Sequence, residues 1–294
     1  MYTLPHMMRY ANLRFHNYFY QSRFKNGKDI LSSDWDNLLL LDACRYDMFD
    51  KHVDLPGELS KVQSKGSMTA QFLEENFESR DATDTVYVTG NPMLRRIQDS
   101  HNFNFHKIID VWSEGWDSKF GTVLPETILK AAKSADQEYP NKRLIVHFMQ
   151  PHFPFITNTE FDKQIPDPGE TSETQFWIKL RKGDIELEPD EIWPPYVKNL
   201  EKVVPALREL LSILRGNTVV TSDHGNMVGE KSSPIPISDW GHPRGLYTPE
   251  LVDVPWLFYQ SDTQKNIISE EPEKKESFDQ DVIGDRLKNL GYVE

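Results

Sequence analysis

Six short apolar runs set the frame within which this chain can fold. They are NLLLLDA, with Asp42 at its end, TVYVTG around Val86, KIIDVW around Ile109, RLIVHFM around Val146, NTVVTSD ending at Asp223, and VPWLFY around Leu257. Runs this short and this continuously apolar read as strands buried on both sides. Helix-like segments lie between most of them. TAQFLEENF opens on Thr69, a good N-cap, and PETILKAAKSA opens on Pro125, which suits a first helical turn. In YVKNLEKVVPALRELLSIL the residues Val197, Leu200, Val204, Leu207, Leu211 and Leu214 recur at spacings of three and four. Pro205 inside that segment removes a backbone donor and predicts a kink or a restart. Strands alternating with helices imply a mainly parallel sheet covered on both faces.

Composition narrows the class further. The 294 residues fit one large α/β domain or two small ones, long enough to bury a core without disulfides. No boundary divides the chain convincingly, so residues 1–294 read as one domain. It carries an N-terminal extension over 1–34 and an insertion at 157–195. The formal charge of -13 argues against nucleic acid, which needs a cationic surface. The one cysteine, Cys44, cannot form an internal disulfide and suits a reducing compartment, so a cytoplasmic location is expected. The opening segment lacks a continuous apolar stretch, and no run reaches the roughly 20 residues of a membrane span. It is nonetheless basic and aromatic, with Arg9, Arg14, Arg23, Lys25 and Lys28. The plainer reading is a helix packed on its own domain, and the alternative is contact with a membrane surface or a partner.

Polar residues gather where ligands bind in open α/β sheets, outside the carboxyl ends of the strands. Asp42 follows NLLLL, Asp223 and His224 follow NTVVTS, His152 follows RLIVHFM in QPHFPF, and His242 sits in DWGHPRG. Carboxylates and neutral imidazoles are ligands of Zn²⁺, Mn²⁺ and similar ions. Each residue also has a plain reading. Asp42 can be a cap or turn former, Gly225 after the Asp-His pair can take a positive φ, and His152 and His242 can be packed loop residues.

The ordered set LLLLDACRYD, GSMTAQFL, MQPHFPF, VVTSDHGNMVGE and GHPRGLYTPELVDVPWLF resembles the alkaline phosphatase superfamily, in particular its sulfatase-like branch. The resemblance runs from Trp35 to the C-terminus. It implies a three-layer α/β/α sandwich around a large, mainly parallel central sheet. It also implies one or two divalent ions (Zn, Mn, Mg or Ca) and action on phosphate or sulfate esters. Residue by residue, Asp42, Asp223 and His224 match ligands of the first metal. His152 and His242 resemble histidines that hold a second metal or the substrate anion.

The sulfatase CxPSR motif is missing, and Cys44 lies too near Asp42 to replace its cysteine; a small buried core residue is expected there. SKGSMTAQFL resembles instead the GTxTA segment of phosphoethanolamine transferases, which selects Thr69 as nucleophile and metal ligand, with Ser67 as runner-up. Arg45 is expected to reach the substrate anion or to pair with an acid. The expected activity is metal-dependent hydrolysis or transfer of phosphate esters. The alternatives are a sulfoester hydrolase and a catalytically inactive member that binds anions or glycans. The substrate would be a small-molecule or a glycan- or lipid-linked ester. Trp177, Trp193 and Tyr196 are stacking surfaces for it or simple packing residues. No transmembrane segment is expected, and a homo-oligomer stays open.

Overall fold

The computed structural model describes residues 4–19, 27–156, 176–274 and 278–290. All six apolar runs are strands. They are β1 (Asn37–Asp42), β3 (Asp81–Thr89), β4 (Asn104–Asp110), β7 (Arg143–Pro151), β8 (Thr218–Ser222) and β11 (Asp253–Tyr259). A seventh, β2 (Glu58–Gln63), completes a sheet of order β2-β11-β8-β1-β7-β3-β4. β1, β3, β4, β7 and β8 pair in parallel, whereas β11 is antiparallel to both β8 and β2. Every residue of β1 and β8 is buried, as a central strand covered on both faces requires. β2 was not legible as a strand. Its sequence ELSKVQ has no apolar run because it lies on the edge, where four of its six residues are exposed.

Helices cover the sheet: α1 (Leu4–Phe19), α2 (Tyr46–His52), α3 (Thr69–Phe77), α4 (Met93–Ile97), α5 (Val111–Glu114), α6 (Pro125–Glu138), α7 (Phe176–Lys182), α8 (Pro189–Ile213), α9 (Pro249–Val252) and α10 (Gln280–Asn289). Short strands β5 (Trp116–Asp117) with β6 (Thr122–Val123), and β9 (Met227–Lys231) with β10 (Ser238–Gly241), form two small ribbons. α8 lies against β7 and α6, and one apolar cluster joins helices and sheet. This is the expected alkaline-phosphatase-like α/β architecture.

Two local expectations fail. Helix α8 runs through Pro194, Pro195 and Pro205 without a restart. Burial of Leu200, Val203, Ala206, Leu207 and Leu210 along one face outweighs the roughly 3 kcal/mol that an interior proline costs. Thr69 is the first residue of α3, and Met68 occupies the cap position without a side-chain cap bond.

The expected insertion lies partly outside the described residues, at 157–175; its described part holds α7 and the start of α8, with residues 183–188 as a non-helical connection. Trp177 and Tyr196 are buried, and Trp193 stacks on Arg45, so these aromatics pack the protein's own structure. The Arg23 and Lys25 of the basic opening lie outside the described residues, but α1 packs on its domain as expected. Asn12 donates to Ser232 Oγ and the Ile235 carbonyl, both at 2.8 Å, and His16 Nδ1 accepts Tyr247 N–H at 3.2 Å. Among the described residues no helix is long and apolar enough to cross a membrane.

Candidate metal centre and nucleophile

Strand order decides which polar residues meet. β1 lies between β8 and β7, with Leu41 level with Ser222 and Leu40 level with His147. Asp42 at the end of β1 therefore emerges beside Asp223 and His224, which directly follow β8. The chain turns sharply after Asp42. Ala43 adopts φ +59°, left-handed and uncommon for a non-glycine residue. Its strain is held by two bonds: Ala43 N–H donates to Asp223 Oδ1 at 3.0 Å, and Tyr196 Oη donates to the Ala43 carbonyl.

The loop after β2 brings in α3. Gly66 is required there because a Cβ would lie 2.4 Å from the Phe72 backbone nitrogen. Gly225 is likewise set by close approach and not by a positive φ: a Cβ would lie 2.1 Å from the Glu250 carbonyl oxygen.

The result is a fully buried group. Thr69, Asp42, Asp223 and His224 are each 0% exposed. Thr69 Oγ1 lies 3.2 Å from His224 Nε2. The same nitrogen lies 3.7 Å from Asp42 Oδ1 and 3.4 Å from Asp223 Oδ2. Both carboxylates are divided in function. Asp223 Oδ1 accepts the N–H groups of Ala43 and His224, at 3.0 and 2.8 Å. Asp42 Oδ2 accepts Asn91 Nδ2–H at 2.6 Å. Asp223 Oδ2 is buried without a hydrogen-bond partner among the described residues, and so is His147 Nε2.

Sequence reasoning passed over His147, which sits inside the strand run RLIVHFM with no turn beside it to mark it as functional. Ligand atoms of Asp42, His147 and Asp223 all lie within 4.8 Å of one another, and the three residues could hold a metal ion. Two buried orphan atoms beside a second carboxylate are what a cation would satisfy. The mixed oxygen and nitrogen donors fit Zn²⁺, Mn²⁺ and related ions.

His152 and His242 also join the group. The His242 ring packs at a tilt against His224 and His152, with ring centroids 4.7 and 5.0 Å away. The tautomers follow from the partners. His224 Nδ1–H donates to the Gly225 carbonyl at 2.7 Å, and His152 Nδ1–H donates to the Phe153 carbonyl. Asn226 donates from Nδ2 to the Met227 carbonyl at 3.1 Å, so its Oδ1 faces His242 Nδ1–H at 3.0 Å. In all three rings Nε2 is then the acceptor nitrogen, the form that ligates a cation. Burial, reinforced by the neighbouring His224, lowers His152 to a pKa of about 4. Burial likewise lowers His147 to about 4 and pushes His242 well below the usual imidazole range. These imidazoles are neutral at pH 7.

The other expected residues lie in different surroundings. Ser67 Oγ is engaged by Gln71 Oε1 at 3.1 Å, the Pro243 carbonyl at 3.0 Å and Gly245 N–H at 2.9 Å. Arg45 forms a fork on Asp47, at 2.9 and 2.6 Å, and also pairs with Glu230. Cys44 is buried as a core residue, and burial raises its thiol pKa. Asn226 and Asn91, which sequence reasoning gave no role, orient His242 and Asp42.

No family model matches the chain, and no curated protein does. Similar folds exist among solved structures. The integral membrane lipooligosaccharide phosphoethanolamine transferase A (EptA) from Neisseria meningitidis is 15% identical. It superposes at a TM-score of 0.50 over 80% of this chain and 49% of that one. The chain thus spans about half the length of that transferase. The C-terminal periplasmic domain of EptC from Escherichia coli, in complex with Zn, is 15% identical with a TM-score of 0.49, over 81% of this chain and 76% of that one. An alkaline phosphatase superfamily protein from Vibrio parahaemolyticus is 11% identical with a TM-score of 0.43, over 87% and 70%.

The expectation of a cytoplasmic location is overturned by these findings, since the matched EptC domain is periplasmic. A lone cysteine excludes an internal disulfide but does not fix a compartment. At these identities the likeness is one of architecture, and the chain has the fold of the alkaline phosphatase superfamily.

Proposed function

We propose that this chain is a metal-dependent enzyme that hydrolyses or transfers phosphate esters through Thr69. The observation that carries the reading is the placement of Thr69 Oγ1, 3.2 Å from His224 Nε2 and inside the buried Asp42–Asp223–His224 group. Asp42, Asp223, His224 and Thr69 would hold the ion, with His147 in reach. A divalent cation there would supply Lewis acidity, lowering the hydroxyl pKa and offsetting developing charge.

The chain's own residues do the rest. Thr69, at the start of α3, presents its oxygen beside the backbone N–H groups of the first turn, which favour an incoming anion. Its hydroxyl gives up its proton to solvent as its oxygen attacks phosphorus, and the P–O bond to the leaving group breaks with the leaving oxygen taking a proton from water. Water or an acceptor alcohol, losing its own proton, later takes the group and restores the Thr69 hydroxyl. Asp223 is fixed by Ala43 and His224 N–H and cannot swing. Ser67 ties the start of α3 to the Pro243–Gly245 loop and is spent on that task. Arg45 acts in this reading by fixing the turn after β1 through Asp47 and Glu230.

The shared tautomer of His152 and His242 favours a second cation over direct contact with phosphate oxygens. An acceptor Nε2 repels an anion unless the ring is protonated, and both rings are held neutral.

The test pairs two variants on two substrates. Thr69→Ala is expected to lower turnover of an aryl phosphate by about a thousandfold or more with the melting temperature retained. Ser67→Ala is expected to keep most of it. Loss in Ser67→Ala with retention in Thr69→Ala would assign the other hydroxyl. Faster turnover of an aryl sulfate than of the phosphate would move the reading to sulfoesters. A purified protein that takes up no divalent ion would leave an anion- or glycan-binding role.

A further inference from the structure

The geometry points to Asn91 as a positioning residue that makes Asp42 a one-oxygen ligand; the inference rests on the metal reading above. Asn91 is 1% exposed and sits in the turn after β3, on the side of the sheet opposite to β8 and its Asp223–His224 pair. An asparagine amide has two faces of nearly equal shape, so its orientation must follow from its partners. Here they leave one choice. Asn91 Oδ1 accepts the Met93 N–H at 2.8 Å, at the start of α4. The backbone is pinned as well: Asn91 N–H donates to Thr89 Oγ1, and Thr89 Oγ1–H donates to the Asn91 carbonyl, both at 2.9 Å. Flipping the amide would set two donors against each other at Met93. Nδ2 must therefore face Asp42, and it donates to Oδ2 at 2.6 Å.

That bond has a consequence for the ion. A carboxylate can ligate through one oxygen or through both. A short hydrogen bond from a neutral amide draws charge from Oδ2 and locks the plane of the carboxylate. Oδ1 is then the oxygen on the His224 side, 3.7 Å from Nε2, while Oδ2, held by Asn91, lies on the His147 side, 3.8 Å from its Nε2. Asp223 shows the same arrangement with its oxygens exchanged, Oδ1 held by backbone N–H groups and Oδ2 left for the ion. Two one-oxygen carboxylates favour a low coordination number, which suits an ion that must also accept the Thr69 hydroxyl.

The experiment measures affinity of the full-length protein for Zn²⁺ and Co²⁺ by chelator competition. Visible absorption of the Co²⁺ form reports coordination number. Asn91→Asp keeps the acceptor that caps Met93 and removes the donor. It is expected to weaken metal binding by about 10- to 100-fold and to change the Co²⁺ spectrum. Asn91→Ser, too short to reach Asp42, is expected to show the same two changes. Wild-type affinity and an unchanged spectrum in either folded variant would overturn the inference, leaving Asn91 as a helix cap. Failure of the wild-type protein to bind either ion would overturn the metal reading, and this inference with it.

Discussion

Two of the places where the described residues bury carboxylates are treated differently; a third, Asp239, lies beside Arg9 and Arg181. Near the edge of the sheet, Asp110 at the end of β4 meets Arg95 of α4. Arg95 Nε donates to both Asp110 oxygens, at 3.1 and 2.9 Å, and a terminal nitrogen donates to Oδ2 at 2.6 Å. Gln98 Oε1 takes another guanidinium N–H at 2.9 Å, and Trp112 Nε1–H completes Asp110 at 2.9 Å. At the centre of the sheet, Asp223 has no lysine or arginine beside it among the described residues, and its Oδ2 has no hydrogen-bond partner. The first cluster is closed and neutral, so it needs nothing further. The second keeps charge and lone pairs in a low-dielectric interior, an arrangement that costs stability unless a cation completes it.

The widest separation between the clusters should appear on acidification of the metal-free protein. His147 and His152 have folded pKa values of about 4, below the ordinary 6.5. Above pH 6.5 both folded and unfolded states are neutral there, and stability does not depend on pH. Between pH 6.5 and 4 the unfolded state takes up protons that the folded state refuses, so stability is lost as pH falls. Below pH 4 the folded rings protonate as well and the loss levels off. Urea titrations across this range should show it, and His147→Gln should flatten part of the slope. A flat profile down to pH 4 would remove the contrast.

Next in size, Arg95→Met should cost about 3–5 kcal/mol by leaving Asp110 buried and unpaired. Asp223→Asn in metal-free protein should instead cost little or stabilise, since it removes an uncompensated charge. Equal destabilisation by the two would mean that the central cluster is as closed as the peripheral one.

Ion binding should then raise wild-type stability by about 2.7 kcal/mol at a free concentration of one hundred Kd, read as a higher melting temperature. Asp223→Asn should abolish that rise, and Arg95→Met should retain it. The smallest effect is expected at Ser67. Removing its hydroxyl should cost about 1 kcal/mol of stability, as for an ordinary buried hydrogen bond, with metal affinity intact.

Much of this was legible in the residues themselves. The six apolar runs are strands because continuous burial on both faces demands such composition. Asp42, Asp223, His224, His152 and His242 could be named because each follows or lies near a strand end, where polar side chains can leave the core. What escaped was set by neighbours in the sheet. β2 is an edge strand with little to bury. His147 looks like any core position of β7 until β1 brings Asp42 alongside. Pro205 reads as a helix breaker until the packed face of α8 is counted.

The sequence by itself determined that this chain builds a mainly parallel α/β sheet and delivers carboxylates and imidazoles to one end of it, because local composition and turn chemistry act over a few residues. The tertiary structure alone decided which hydroxyl faces the group, which oxygen of each carboxylate is held, and which nitrogen of each histidine carries its proton. The hydroxyl and the Asp223 oxygen are chosen by partners far apart in the chain, Thr69 with His224 and Ala43 with Asp223, whose meeting only strand order and close packing could fix. The protons of His224 and His152 are set by the carbonyl of the next residue, once packing has fixed the loop conformation.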